Sequence, residues 1–170
     1  MISSVRVSPA CVTVLVIPDV HLKPWMFDRA SDLMKEKKAD RAVCLMDIAD
    51  DWNQSLNIDL YNRTYERAIR FAAEYDGDID QIIAAINSFG SDNLWQDISP
   101  IWLRPQHSVL KMYKPGVFLQ VVGHTPVESV ERKGNLISCD VFSTDDAGRP
   151  IGSQEFPVID TIHWDYGVYR

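Results

Sequence analysis

Acidic residues and histidines fall at the ends of apolar runs in this chain, a placement that suits metal chemistry. Residues 12–18 run into Asp19-Val20-His21, and residues 41–46 run into Asp47-Ile48-Ala49-Asp50-Asp51-Trp52. A third run, residues 117–122, ends at Gly123-His124-Thr125-Pro126. Carboxylates crowded at one edge repel each other unless a cation sits between them. Asp19 and His21 stand two positions apart, on one side of an extended chain, so a carboxylate and an imidazole can grip one ion together. Asp47 arrives from the neighbouring strand with two oxygens, enough to bridge two cations. His124 follows a glycine that lets the backbone turn sharply. Mixed oxygen and imidazole ligands suit Mn, Fe or Zn, whereas an all-oxygen cage suits Mg or Ca.

Each residue also has a plainer reading. Asp19 alone is a turn former or helix cap, and His124 alone is a satisfied structural histidine. Asp50 and Asp51 read as a solvated turn or as groups that orient the ligands. Arg104, in Trp102-Leu103-Arg104-Pro105, is a candidate phosphate clamp because its guanidinium can offer phosphate two hydrogen bonds; its alternative is a structural or surface arginine. Trp25, Trp52, Trp95 and Trp102 could stack a base beside the metals, or serve in the core. Three ligand-bearing elements at three strand ends are hard to attribute to folding alone.

The elements that must position these groups follow from periodicity. Each apolar run has the length of a buried strand, and open α/β sheets bind ligands at the carboxyl edge of their strands. Met26, Ala30, Leu33, Met34 and Lys37 follow helical spacing between the first two runs, so the chain opens with a βαβ unit whose strands are parallel. Ile58, Tyr61, Tyr65, Ile69 and Ala72 suggest a second helix capped by Asn57. Ile79, Ile82, Ile83, Ile86 and Phe89 suggest a third, ended by Gly90. Pro100, Pro105 and Pro115 with Trp95 and Trp102 mark an irregular connection. Residues 117–122, 127–132, 135–142 and 155–159 read as strands, the later ones antiparallel, with turns at Lys133-Gly134 and Asp145-Asp146-Ala147-Gly148. The expected fold is α/β (α+β): two packed mixed sheets flanked by helices, in one domain over residues 1–170.

With 170 residues, the chain is long enough for a full core. A net charge of -7 argues against a general nucleic-acid or anionic-membrane binder. The first apolar run is too short to span a bilayer, and no signal-peptide pattern precedes it. The three cysteines, an odd number without CxxC spacing, fit reduced thiols in a cytoplasmic protein.

Asp-x-His, then Asp-x-x-Asp after a strand, then a strand ending Gly-His-Thr-Pro, resembles the calcineurin-like metallophosphoesterases. The likeness is to the branch related to protein serine/threonine phosphatases and bacterial diadenosine tetraphosphatases. Asp19-Val20-His21 matches the first motif in full. Asp47-Ile48-Ala49-Asp50 matches the second, with Met46 where the family has glycine, and Val122-Gly123-His124-Thr125-Pro126 matches the last. The resemblance implies a metallophosphoesterase-like β-sandwich with a dinuclear centre. Asp19 and His21 would hold the first metal, Asp47 would bridge both, and His124 would hold the second. Asp50 would orient ligands from behind. The implied reaction is hydrolysis of a phosphomonoester or phosphoanhydride by a metal-activated hydroxide, with Mn the first choice of ion. Substrates would be a phosphorylated small molecule, a nucleotide or a phosphoprotein.

The family's Gly-Asn-His-Asp/Glu block and its further histidine are absent. Between Asp51 and Gly123 the only histidine is His107, whose surroundings do not resemble the family's. Beyond Tyr75 the family has another strand, whereas Asp76-Gly77-Asp78-Ile79-Asp80 leads towards a helix, so a central segment of the fold is missing. The second metal keeps only Asp47 and His124. A degenerate member that binds one metal or a phosphorylated ligand as an interaction module is therefore the competing expectation. A phosphotransfer receiver lacks its later-strand lysine and would leave His21 and His124 idle.

Overall fold

The computed structural model describes residues 13–45, 47–48, 57–75, 77, 88, 104–107, 114 and 116–170. Asp50, Asp51, Trp52, Trp95, Trp102 and Cys11 lie outside the described residues, as do the third helix expected from Ile79 and the point at which the resemblance implies a missing segment.

The opening βαβ unit forms as its periodicity requires. Strand β1 (Thr13–Ile17) pairs in parallel with β2 (Arg41–Cys44), Val14 opposite Arg41 and Ile17 opposite Cys44. Between them, helix α1 (Trp25–Lys37) buries Met26, Phe27, Ala30, Leu33 and Met34. It ends where Lys38 turns left-handed at φ 52° and its N–H donates to the Met34 carbonyl. Lys35 and Lys37 sit in the last turn, where the helix dipole favours cations.

Helix α2 (Ile58–Glu74) starts as expected, with Asn57 Oδ1 accepting from the Leu60 N–H at 3.0 Å. Its inner face differs from its apolar stripe. Thr64 and Phe71 are buried, whereas Ile58, Tyr65 and Ile69 are exposed. The helix leans on α1 through Phe71, 6.0 Å from the Phe27 ring, and through Tyr75, whose hydroxyl lies 3.2 Å from Ser31 Oγ. Thr64 tolerates burial because its hydroxyl donates to the Leu60 carbonyl one turn back.

The second half holds β3 (Gln120–Pro126), β4 (Glu131–Lys133), β5 (Leu136–Asp140), β6 (Phe156–Asp160) and β7 (Asp165–Tyr169). Strands β4 and β5 pair antiparallel, as expected. Strand β6 crosses to the first sheet, giving the order β2-β1-β6-β7, and β3-β5-β4 make a second sheet. Strand β3 pairs with β5 in parallel. It also runs through Gly123-His124-Thr125-Pro126 instead of ending before it, with a break in register between Val122 and Pro126. Strand β7, not among the strands expected from the sequence, pairs antiparallel with β6.

Both sheets are mixed, and residues of both join α1 in one core: Leu15 and Ile17 from β1, Ile137 and Cys139 from β5, Phe156 from β6. Phe142 lies among them, 5.1 Å from Phe156 and 5.8 Å from the Trp25 ring. Cys139 is a free thiol pushed well up from its usual pKa by burial, and Cys44 is half-buried. Among the described residues no helix is long and apolar enough to cross a membrane.

Candidate metal centre

Three backbone segments converge at the carboxyl edge of β1. After Ile17 the chain leaves the sheet, yet Asp19, Val20 and His21 stay buried. The Val20 and His21 N–H groups both donate to the Asp47 carbonyl, at 3.1 and 2.8 Å, and Leu22 N–H donates to the Ile48 carbonyl at 3.1 Å. The first acidic loop is thereby laced to the second. His21, Asp47 and His124 all adopt left-handed backbone, with φ of 47°, 34° and 60°. Such conformations are costly for residues with a Cβ and gather at functional sites.

Asp19 and Gly123 explain each other. The His124 N–H donates to Asp19 Oδ2 at 2.5 Å. A Cβ built on Gly123 would stand 2.1 Å from that same oxygen, so only glycine lets the carboxylate approach β3. The other oxygen, Asp19 Oδ1, is buried and has no hydrogen-bond partner among the described residues. Burial pushes the Asp19 carboxyl up to about 6, and the neighbouring Asp140 charge adds to the rise against the pull of the His124 amide. A buried carboxylate oxygen without a donor is a rare and expensive arrangement. A cation is one group that satisfies it.

Asp140 is the residue that sequence reasoning missed. It closes β5 and is buried. Asp19, His21 and Asp140 each offer a ligand atom within 4.8 Å of the others, so this buried group could hold a metal ion. His21 Nε2 and Asp140 Oδ1 stand 3.5 Å apart, close to the roughly 3–3.5 Å expected of two ligands bound at about 2.1 Å around one tetrahedral ion. The donor set of two carboxylates and an imidazole suits a divalent transition metal. A signal was present in the sequence. Asp140 interrupts an apolar strand between Cys139 and Val141, where a charge needs a partner.

Asp47 and His124 form a pair beside this group. His124 Nδ1 lies 3.0 Å from Asp47 Oδ2, while His21 Nδ1 lies 3.9 Å from the same oxygen. The hydrogen bond to Asp47 raises the His124 pKa above its usual value, with partial burial and the Arg104 charge opposing. Arg104 is placed at the site, but as a brace: its Nε donates to the His124 carbonyl at 3.1 Å. Gln106, in the short turn after it, donates to the Gly123 carbonyl at 3.2 Å.

The structure thus brings Asp19, His21, Asp47, His124 and Arg104 together. It groups Asp140, rather than Asp47, most tightly with Asp19 and His21. His107 is exposed in the turn Pro105–His107, and His163 is exposed and paired with Asp160. No family model matches the chain, and neither a curated protein nor a solved structure is similar to it.

Proposed function

We propose that the chain is a metal-dependent phosphoesterase of the metallophosphoesterase-like β-sandwich type, using its Asp19, His21 and Asp140 group as the principal ion site. The observation that carries this reading is the unpartnered, buried Asp19 Oδ1 inside a cluster of three ligand-bearing side chains. A bound divalent ion, Mn first and Fe or Zn as alternatives, supplies Lewis acidity and an activated water. The protein's own groups do the rest. Asp47 orients His124 through their 3.0 Å contact. Arg104 braces the His124 carbonyl and sets positive charge next to the imidazole, where phosphoryl oxygens of a substrate would be received. His124, held ready to carry a proton by Asp47, is the candidate acid for the leaving oxygen.

The test is hydrolysis of an aryl phosphomonoester and an aryl phosphodiester with added Mn²⁺, comparing wild type with Asp19→Asn and Asp140→Asn. Turnover by wild type that is lost in both variants supports the reading. Turnover that persists in Asp140→Asn but not in Asp47→Asn returns the first ion to the ligand set of the resembling family.

A second reading is favoured by the 3.0 Å contact between Asp47 and His124, which engages the two expected second-metal ligands with each other: a one-ion binding module without turnover. Metal uptake by wild type with no hydrolysis of either ester would select it.

A further inference from the structure

Ser143 lies in the buried centre and has no role in the reading above. Its Oγ is 2.8 Å from Asp140 Oδ1 and 2.9 Å from His21 Nε2, and the side chain is almost wholly buried. A hydroxyl has one proton. The Asp140 carboxylate can only accept, so the Ser143 O–H donates to Asp140, and Ser143 Oγ must accept from His21. In the metal-free protein the imidazole therefore carries a proton on Nε2, the nitrogen that faces Asp140. A nitrogen with a proton has no lone pair for a cation.

We propose that the Ser143 hydroxyl holds the place of the cation in the metal-free protein, bridging Asp140 and His21 Nε2, and that both residues release it when they take up a divalent ion. The inference rests on the ion site proposed above. On release, Nε2 gives up its proton, and Nδ1, which faces Asp47 Oδ2 at 3.9 Å, carries one instead. Ser143 then acts as a competitor of the metal, not as a support for it. A hydroxyl that oriented the ligands in the bound state would have the opposite effect, because removing such support costs tenfold to a hundredfold in affinity.

The sign of one substitution separates the two. Ser143→Ala removes an interaction made chiefly in the metal-free state, so Mn²⁺ or Zn²⁺ alone, titrated calorimetrically, should bind roughly two- to tenfold tighter. Ser143→Thr keeps the hydroxyl and should return the affinity to the wild-type value. If Ser143→Ala does not fold, Ser143→Gly, which also removes the hydroxyl and adds no ligand atom, should bind tighter than wild type. The ¹⁵N spectrum of the His21 ring gives a readout that a merely structural role would not move. It should show the Nε2–H form in metal-free wild type and a loss of that bias in Ser143→Ala. Equal or weaker binding by Ser143→Ala overturns the inference. If wild-type binding disappears in Asp19→Asn while Ser143→Ala binds no tighter, this inference falls and the ion site stands. If wild type takes up neither ion, both fall.

Discussion

A carboxylate in a dry pocket is held there by geometry, against its own preference for water, and Asp19 is in that position. Its pKa of about 6 lies above the ordinary value of 3.8, so between those limits the folded state binds more protons than the unfolded one. Metal-free stability contributed by this group therefore falls as pH rises through that window, and the penalty is complete above it. Asp19→Asn keeps an oxygen for the His124 N–H and removes the charge. At pH 7.5 it should stabilise the metal-free protein, by as much as about 3 kcal/mol, while abolishing any rise in Tm on adding Mn²⁺. In wild type the Mn²⁺-induced rise should be smaller at pH 5 than at pH 7.5, since protons compete for the same oxygens. Thermal melts at both pH values check the sign. Gly123→Ala tests the close approach of Asp19 to β3. It should cost about 1–3 kcal/mol by overpacking and weaken metal uptake, measured by chemical denaturation and by titration.

At the scale of elements, the β1–α1–β2 unit was legible because one strong pattern settles it: two apolar runs flanking a helical stripe with cations at its end. Helix α2 was legible in position but not in rotation. Its cap, Asn57, is a local hydrogen bond, whereas the face it buries depends on what α1 presents, namely Phe27 and Ser31. The parallel pairing of β3 with β5 is a long-range matter that no turn signal announces. The β6–β7 hairpin has its own electrostatic marker. Asp160, held down at about 2 chiefly by the hydrogen bond from the His163 ring, also accepts the His163 and Ile162 N–H groups. His163 is raised in turn. For a histidine so raised, the contribution to stability is fully present below its unfolded pKa and fades as pH rises through the folded one. Proton NMR of the imidazole should therefore find His163 titrating above 6.5 in the folded protein, and at its ordinary value in Asp160→Asn.

Across the whole molecule, the proposed ion site joins the two sheets. Asp19 and His21 hang from β1 in the four-stranded sheet, and Asp140 ends β5 in the three-stranded one. An ion held by all three would tie the sheets across the shared core. Saturating Mn²⁺ at a hundredfold excess over its Kd should then add about 2.7 kcal/mol of stability. Amide exchange should slow in β1 and β5 together, and a chelator should reverse both effects. Slowing confined to β1 would mean that Asp140 is not a ligand.

The sequence by itself determined which residue types could meet a cation and that Asp19, His21, Asp47 and His124 sit near strand ends, because strand length and period are local properties. It also determined that Gly123 precedes a histidine, read there as a sharp turn, whereas β3 runs on through both residues. Only the tertiary structure decided that Gly123 makes room for Asp19, that Arg104 braces the His124 backbone, and that Asp140 and Ser143 face His21. Those relations depend on β5 lying beside β3 and against the β1 loop. The contacts of the β1 loop with β3 and with Ser143 join segments more than a hundred residues apart, and such contacts are set by burial in a common core, which no local pattern records.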